Sequence, residues 1–174
     1  MLGPKNIKSD NSMTKEETYL FLTDHGVAYE VTEHGAVFNM AELDAVKLPY
    51  PDADAKNLFV RDDKRRNYYL ITVKGDKRVD LKDFRRKHEL RPLTFASAEE
   101  LMGIMKLYPG AVSPLGLLSD EEHKVKLFLD EAFGEGPIGI HPNDNTATVW
   151  LQTADLVRII REHGNIVELV NLEI

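Results

Sequence analysis

The chain has no cysteine among its 174 residues. That removes a disulfide framework, a zinc–thiolate centre and every thiol nucleophile. Long apolar runs are missing as well. No stretch approaches the roughly 20 residues a helix needs to cross a bilayer, and the start carries no apolar signal-peptide segment. The expectation is a cytoplasmic protein with no membrane partner. Positive charge is in deficit, with 22 Lys and Arg against 29 Asp and Glu, a net charge of -7. This argues against a protein held on nucleic acid by bulk charge. There is no P-loop and no nucleophile elbow. His25, His34, His88, His123, His141 and His163 include no pair at helical metal spacing, so neither a metal nor a cofactor is expected. Gly134-Glu135-Gly136-Pro137-Ile138-Gly139 has dinucleotide-loop glycine spacing, but Pro137 interrupts the turn and no helix signal follows. It reads as a turn into a strand.

What is present suits one domain: 43% hydrophobic and 29% charged residues over 174 positions. Residues 1–12 are a polar leader, either vector-derived or a short native arm, and Met13 reads as the natural start. The domain then spans 13–174. Thr14-Lys15-Glu16-Glu17 is a capping box opening a helix that stops at His25-Gly26. Alternation over Val27 to Thr32 predicts a strand. A second box at Asn39 predicts a short helix to about Lys47. Lys56 to Val60 and Asn67 to Val73 read as a hairpin around a charged turn. Asp80 caps a helix through His88, Leu93 to Phe95 is a short strand, and Ser97 opens a helix to about Lys106. Strands are expected at Val125 to Leu129, Ile138 to Ile140, Thr146 to Leu151 and Ile166 to Leu172, with a helix from Thr153 or Asp155 to His163. The expected class is α+β: a single domain on a mixed sheet curled towards a barrel, helices packed outside.

The charge is uneven. Residues 61–91 hold 12 basic and 6 acidic side chains, and the remainder 10 and 23. A local basic patch can hold a polyanion despite an acidic total, although charged faces are also common on solvated hairpins and helices.

Three segments place polar groups where a core would not want them. Lys56-Asn57 opens an apolar strand. Lys is a mobile cation suited to phosphate, and Asn carries both a donor and an acceptor. Gly110-Ala111-Val112-Ser113-Pro114 combines conformational freedom with restriction, and such a loop can turn backbone N–H groups toward a developing oxyanion. It can equally be an ordinary connection. His141-Pro142-Asn143-Asp144-Asn145-Thr146 sets a histidine on a turn between two apolar strands, where turn chemistry alone accounts for Pro, Asn and Asp.

In this order, Lys56-Asn57-Leu58-Phe59, Gly110 to Pro114, and His141-Pro142 with Asn145-Thr146 resemble the prolyl-tRNA editing family. This is the free-standing, YbaK-like branch related to the editing insertion of bacterial prolyl-tRNA synthetase. Arg78-Val79-Asp80-Leu81-Lys82, Leu93-Thr94-Phe95-Ala96-Ser97 and Ser113-Pro114-Leu115-Gly116-Leu117-Leu118 look similar too, and the likeness runs from about Met13 to the C-terminus. The ordered set carries it; no single motif does.

The resemblance implies the family's editing-domain fold and a trans-acting deacylase of mischarged Ala-tRNA(Pro). It implies the acceptor end of tRNA(Pro) as partner, with prolyl-tRNA synthetase as a further one. Lys56, Gly110 and His141 would be the catalytic set. Lys56 would hold the terminal adenosine's phosphate with Asn57 beside it. Gly110, Ala111, Val112, Ser113 and Pro114 would bind the aminoacyl carbonyl. His141 would line the pocket, and Asn145 would support its turn. Water would attack, assisted by the neighbouring ribose hydroxyl. One departure is His34-Gly35-Ala36-Val37-Phe38-Asn39, where relatives often have His-Pro-Pro-Val-Phe-Thr. It leaves open an editor of another misacylated tRNA, such as Ser- or Cys-tRNA. A non-catalytic tRNA- or protein-binding module is the alternative of a different class.

Overall fold

The computed structural model describes residues 13–35, 48–75 and 77–172. The leader and the helix expected from Asn39 lie outside the described residues. Helix α1 is Lys15–Asp24. Its capping box forms as the sequence predicts, with Thr14 Oγ1 accepting from Glu17 N and Glu17 Oε1 accepting from Thr14 N at 2.9 Å. Gly26 (φ +71°) then turns the chain into strand β1, Tyr29–Glu33. A 3-10 turn at Pro51–Ala53 leads to β2, Ala55–Asp62, which pairs antiparallel with β3, Tyr68–Lys74.

The hairpin turn is shorter than the charge pattern suggests, because Arg61 and Asp62 belong to the strand. Asp62 is 1% exposed and accepts from Lys64 N, Arg66 N and Asn67 Nδ2 at 3.1, 2.9 and 2.8 Å. A buried carboxylate is tolerated only when donors surround it in this way. Helix α2, Leu81–Lys87, starts on Asp80, and β4 is Leu93–Phe95. Helix α3, Ala98–Met105, starts on a second complete capping box at Ser97. The Pro/Gly-rich stretch becomes a 3-10 helix from Pro114 to Ser119. Then follow β5 (Val125–Asp130), β6 (Pro137–Ile140), β7 (Ala147–Gln152), α4 (Thr153–His163) and β8 (Val167–Val170).

The described strands form two sheets where the sequence suggests one curled sheet. The larger is mixed, with order β4-β2-β3-β5-β8, and the smaller is antiparallel, β1-β7-β6. They meet at one backbone bridge, Asp54↔Gly139. Upstream of it Pro51 lacks an N–H and the chain coils into its 3-10 turn, so pairing cannot extend that way. A core shared by both sheets holds Phe59, Leu70, Leu127 and Leu129 against Ile138, Ile140, Val149 and Leu151, and α3 and α4 cover it. The other face of the large sheet packs Val60, Ile71, Val73 and Phe128 beneath Phe84 of α2. Gly134 to Gly139 leads from a 3-10 turn into β6 with no helix after it. Gly139 is needed for space: a Cβ there would sit 2.2 Å from the buried Trp150 ring. No helix among the described residues is long and apolar enough to cross a membrane.

Candidate active site

Strand β2 pairs with β3 along one edge over residues 55–61. On its other edge the bridge to β6 lies at Asp54, and pairing with β4 begins only at Val60. Residues 56–58 therefore lie in a gap between the two sheets, and no described strand runs along that edge there. Lys56 and Asn57 occupy this gap, both half-buried. Strand alternation gives them opposite faces. Asn57 shares its face with Ala55 and Phe59, toward the common core, and Lys56 shares its face with Leu58 and Val60.

Asn57 ties the strand to the glycine loop. Its Oδ1 accepts from the fully buried Thr72 Oγ1 at 2.6 Å, directly across the hairpin, and its Nδ2 donates to Val112 O at 3.3 Å. The amide's orientation follows, since its oxygen is claimed by a hydroxyl and its nitrogen by a carbonyl. Gly110 has φ +96°, a conformation that suits glycine. The loop's donors are unequal. Ala111 N–H goes to Tyr108 O at 3.1 Å, Leu115 N–H to Ser113 Oγ, and Gly116 N–H to Ser113 O. Pro114 has no N–H. Gly110, Val112 and Ser113 are the donors the loop can still offer. Ala111, Ser113 and Pro114 are buried and anchor it.

The histidine turn is held to the same loop. Tyr108 Oη donates to Asn145 Oδ1 at 3.0 Å and accepts from Asn145 N at 3.3 Å. Asn145 is 3% exposed, so one buried residue fixes where the turn meets the loop. His141 Nδ1 lies 3.0 Å from Ala147 O. A carbonyl only accepts, so Nδ1 carries the proton and neutral His141 presents Nε2 as an acceptor. Burial, helped by neighbouring His34, holds the imidazole below its ordinary pKa against the opposing Ala147 bond. From the far side, Lys15 Nζ donates to Thr146 Oγ1 and to Glu33 Oε1, both at 3.0 Å. His34 N–H donates to Thr146 O, which brings the His34 ring to 6.3 Å from that of His141, edge-on.

Side-chain bonds thus join Asn57 to residues 110–114 and Tyr108 to Asn145, while the Asp54↔Gly139 bridge carries β6 and the His141 turn that follows it to the foot of β2. Lys56 is the chain neighbour of Asn57 on β2, with its side chain on the other face of the strand. Tyr108 and Thr72 are constituents that the sequence reading does not single out, and His34 enters it only as the first residue of the segment that departs from the relatives' pattern. Tyr108 had a visible signal, an aromatic placed directly before Pro109-Gly110. Thr72 had none, because a β-branched residue inside a strand is unremarkable. The basic segment is partly neutralised: Arg61 pairs with Glu100, Lys77 with Asp130, Arg86 with Asp83 and Arg91 with Asp63. Among the described residues no group of three or more His, Asp or Glu is placed to share a metal ion.

Residues 34–159 match the aminoacyl-tRNA editing domain family. The chain belongs to that family. It is 36% identical over 159 residues to the prolyl-tRNA editing protein ProX of Acetoanaerobium sticklandii, covering 91% of this chain and 97% of that protein. It is 32% identical over 149 residues to the prolyl-tRNA synthetase associated domain-containing protein 1 of Mus musculus, covering 83% and 88%. A crystal structure of a candidate trans-editing enzyme for prolyl tRNA synthetase superposes with TM-score 0.66 at 19% identity, over 94% of this chain and 99% of that one. A crystal structure of a hypothetical protein superposes with TM-score 0.65 at 20% identity, over 88% and 97%.

Proposed function

We propose that this chain is a trans-acting deacylase that hydrolyses the ester of mischarged Ala-tRNA(Pro). The observation that carries the reading is the pair of ties, Asn57 to Val112 and Tyr108 to Asn145, which gathers the three polar segments at the gap between the sheets. The similarity to a prolyl-tRNA editing protein over 91% of the chain supports the same substrate class.

Lys56 holds the phosphate of the terminal adenosine, with Asn57 as the strap that sets the loop. The remaining N–H groups of residues 110–113 receive the carbonyl oxygen as it gains charge. His141 and Asn145 form the wall on the amino-acid side, where the neutral imidazole accepts a hydrogen bond from the ligand. Water adds to the carbonyl carbon, the bond from that carbon to the ribose oxygen breaks, and the ribose oxygen takes up a proton. The products are alanine and tRNA. The neighbouring ribose hydroxyl orients the water, so no protein nucleophile is consumed. Positioning and prearranged dipoles supply the rate.

A pocket sized for alanine rejects proline by bulk, while a site built for proline discriminates poorly against a smaller residue. A second, hydrolytic sieve answers that asymmetry. Gly35-Ala36 in place of two prolines favours a second reading, a site that admits serine or cysteine. The test is deacylation of Ala-, Ser-, Cys- and Pro-tRNA(Pro) by the purified protein in parallel. Rapid loss of alanine alone is the expected result. Faster loss of serine or cysteine would select the second reading. Binding of tRNA without hydrolysis of any ester would make the chain a non-catalytic module.

A further inference from the structure

Tyr108 combines three properties seldom found together. It is 39% exposed although large and aromatic. Its hydroxyl is engaged twice, as donor to Asn145 Oδ1 and as acceptor from Asn145 N–H, by a residue that is itself buried. Its backbone is fixed too, because its carbonyl accepts from Ala111 N–H in the turn that contains Gly110. The ring is held at its polar tip and at its root, and it stands where the glycine loop meets the histidine turn.

We propose that Tyr108 is a stacking platform for an unpaired nucleobase at the 3′ end of the tRNA. The proposal rests on the tRNA reading above. With the hydroxyl engaged by Asn145 as donor and acceptor, what Tyr108 chiefly offers a ligand is its partly exposed ring. That suits a flat π-system. An ordered ring loses little freedom when a base settles on it. The acceptor end of a tRNA is single-stranded, and its bases are free to leave one stack for another. Every base has a π-face, so such a platform supplies affinity and position without reading sequence. It also suits an acidic protein, because stacking adds affinity without adding positive charge.

The probe is a short single-stranded RNA ending in C-C-2-aminopurine, whose fluorescence falls when the terminal base stacks. Wild type and Tyr108→Phe, which keeps the ring, are expected to bind and quench it. Tyr108→Ala and Tyr108→Leu are expected to bind about tenfold or more weakly and to lose the quenching, since stacking of one base on an aromatic is worth roughly that much. An RNA abasic at the terminal position should bind wild type and Tyr108→Ala alike. Thermal melts of each variant separate loss of the platform from loss of the fold. Equal quenching by wild type and a folded Tyr108→Ala would overturn the proposal, as would failure of wild type to bind the probe. Quenching by a wild-type protein that deacylates no tRNA would sink the proposed activity and leave the platform standing. Deacylation with an unchanged KM in Tyr108→Ala would do the reverse.

Discussion

At the scale of single residues, the proposed site separates capture from turnover. Lys56 is a mobile cation and Gly110 a backbone constraint, so their losses should differ in kind. Lys56→Ala is expected to raise KM for Ala-tRNA(Pro) with little change in kcat. Gly110→Ala forces a side chain onto φ +96° and displaces the loop. One oxyanion donor is worth about 100- to 1000-fold in rate, so kcat should fall at least tenfold. Steady-state kinetics on both variants check this, and an unchanged pair of constants for Lys56→Ala would remove it from the site. His141 gives a stability signature. Its pKa in the folded protein lies below the ordinary 6.5, first because of burial, and burial sets the same direction for His88. The unfolded chain therefore takes up protons first as pH drops. Stability is full above about pH 6.5 and is lost as pH falls from there toward the folded pKa values. Denaturation midpoints between about pH 7.5 and 5.5 should decline. His141→Asn, whose amide nitrogen can replace Nδ1 against Ala147 O, should make the decline shallower.

At the scale of elements, local chemistry was legible and pairing was not. Thr14, Asp80 and Ser97 announce helices because the cap and its N–H partners lie within three residues of each other in the chain. The hairpin was visible from its alternation, but its turn was misplaced by charge. Asp62 looks like a turn residue and works from inside the strand, and Asn67 looks like a strand residue and caps the turn. Of the site, the Lys56-Asn57 strand, the glycine loop and the His141 turn could be picked out as polar intrusions. The ties between them could not, because Asn57 to Val112 and Tyr108 to Asn145 join residues 55 and 37 positions apart in the chain. Glu100 shows the same non-local logic in energetic form. Burial would raise its pKa, but hydrogen bonds from Ser97 N, Tyr68 Oη and Arg61 outweigh it and hold the carboxyl down at about 2. That stability is present above about pH 4.5 and is lost as pH falls through about 2. Glu100→Gln should therefore cost about 2 kcal/mol at pH 7 and little at pH 2, as read from urea denaturation at both pH values.

At the scale of the whole molecule, the two sheets of the described residues share one core and are joined along the backbone by one bridge. Gly139 serves both that bridge and the Trp150 contact. Gly139→Ala should destabilise the fold by about 1–3 kcal/mol as the indole is pushed aside, measured as a lowered Tm. Net charge is -7, yet the last turn of α2 carries Arg85, Arg86 and Lys87. If that face approaches the tRNA backbone, KM should rise with salt while kcat holds. A KM indifferent to salt would confine recognition to the acceptor terminus.

The gap beside residues 56–58 has a further consequence. Its banks belong to different sheets, and between the bridge and β4 no ladder of hydrogen bonds among the described residues sets their spacing. Across it run side-chain ties by way of the glycine loop, Asn57 to Val112 and Tyr108 to Asn145. If the slit holds the acyl group as proposed, exchanging a few of these side chains re-gauges it for a larger or smaller one, while both sheets stay as they are.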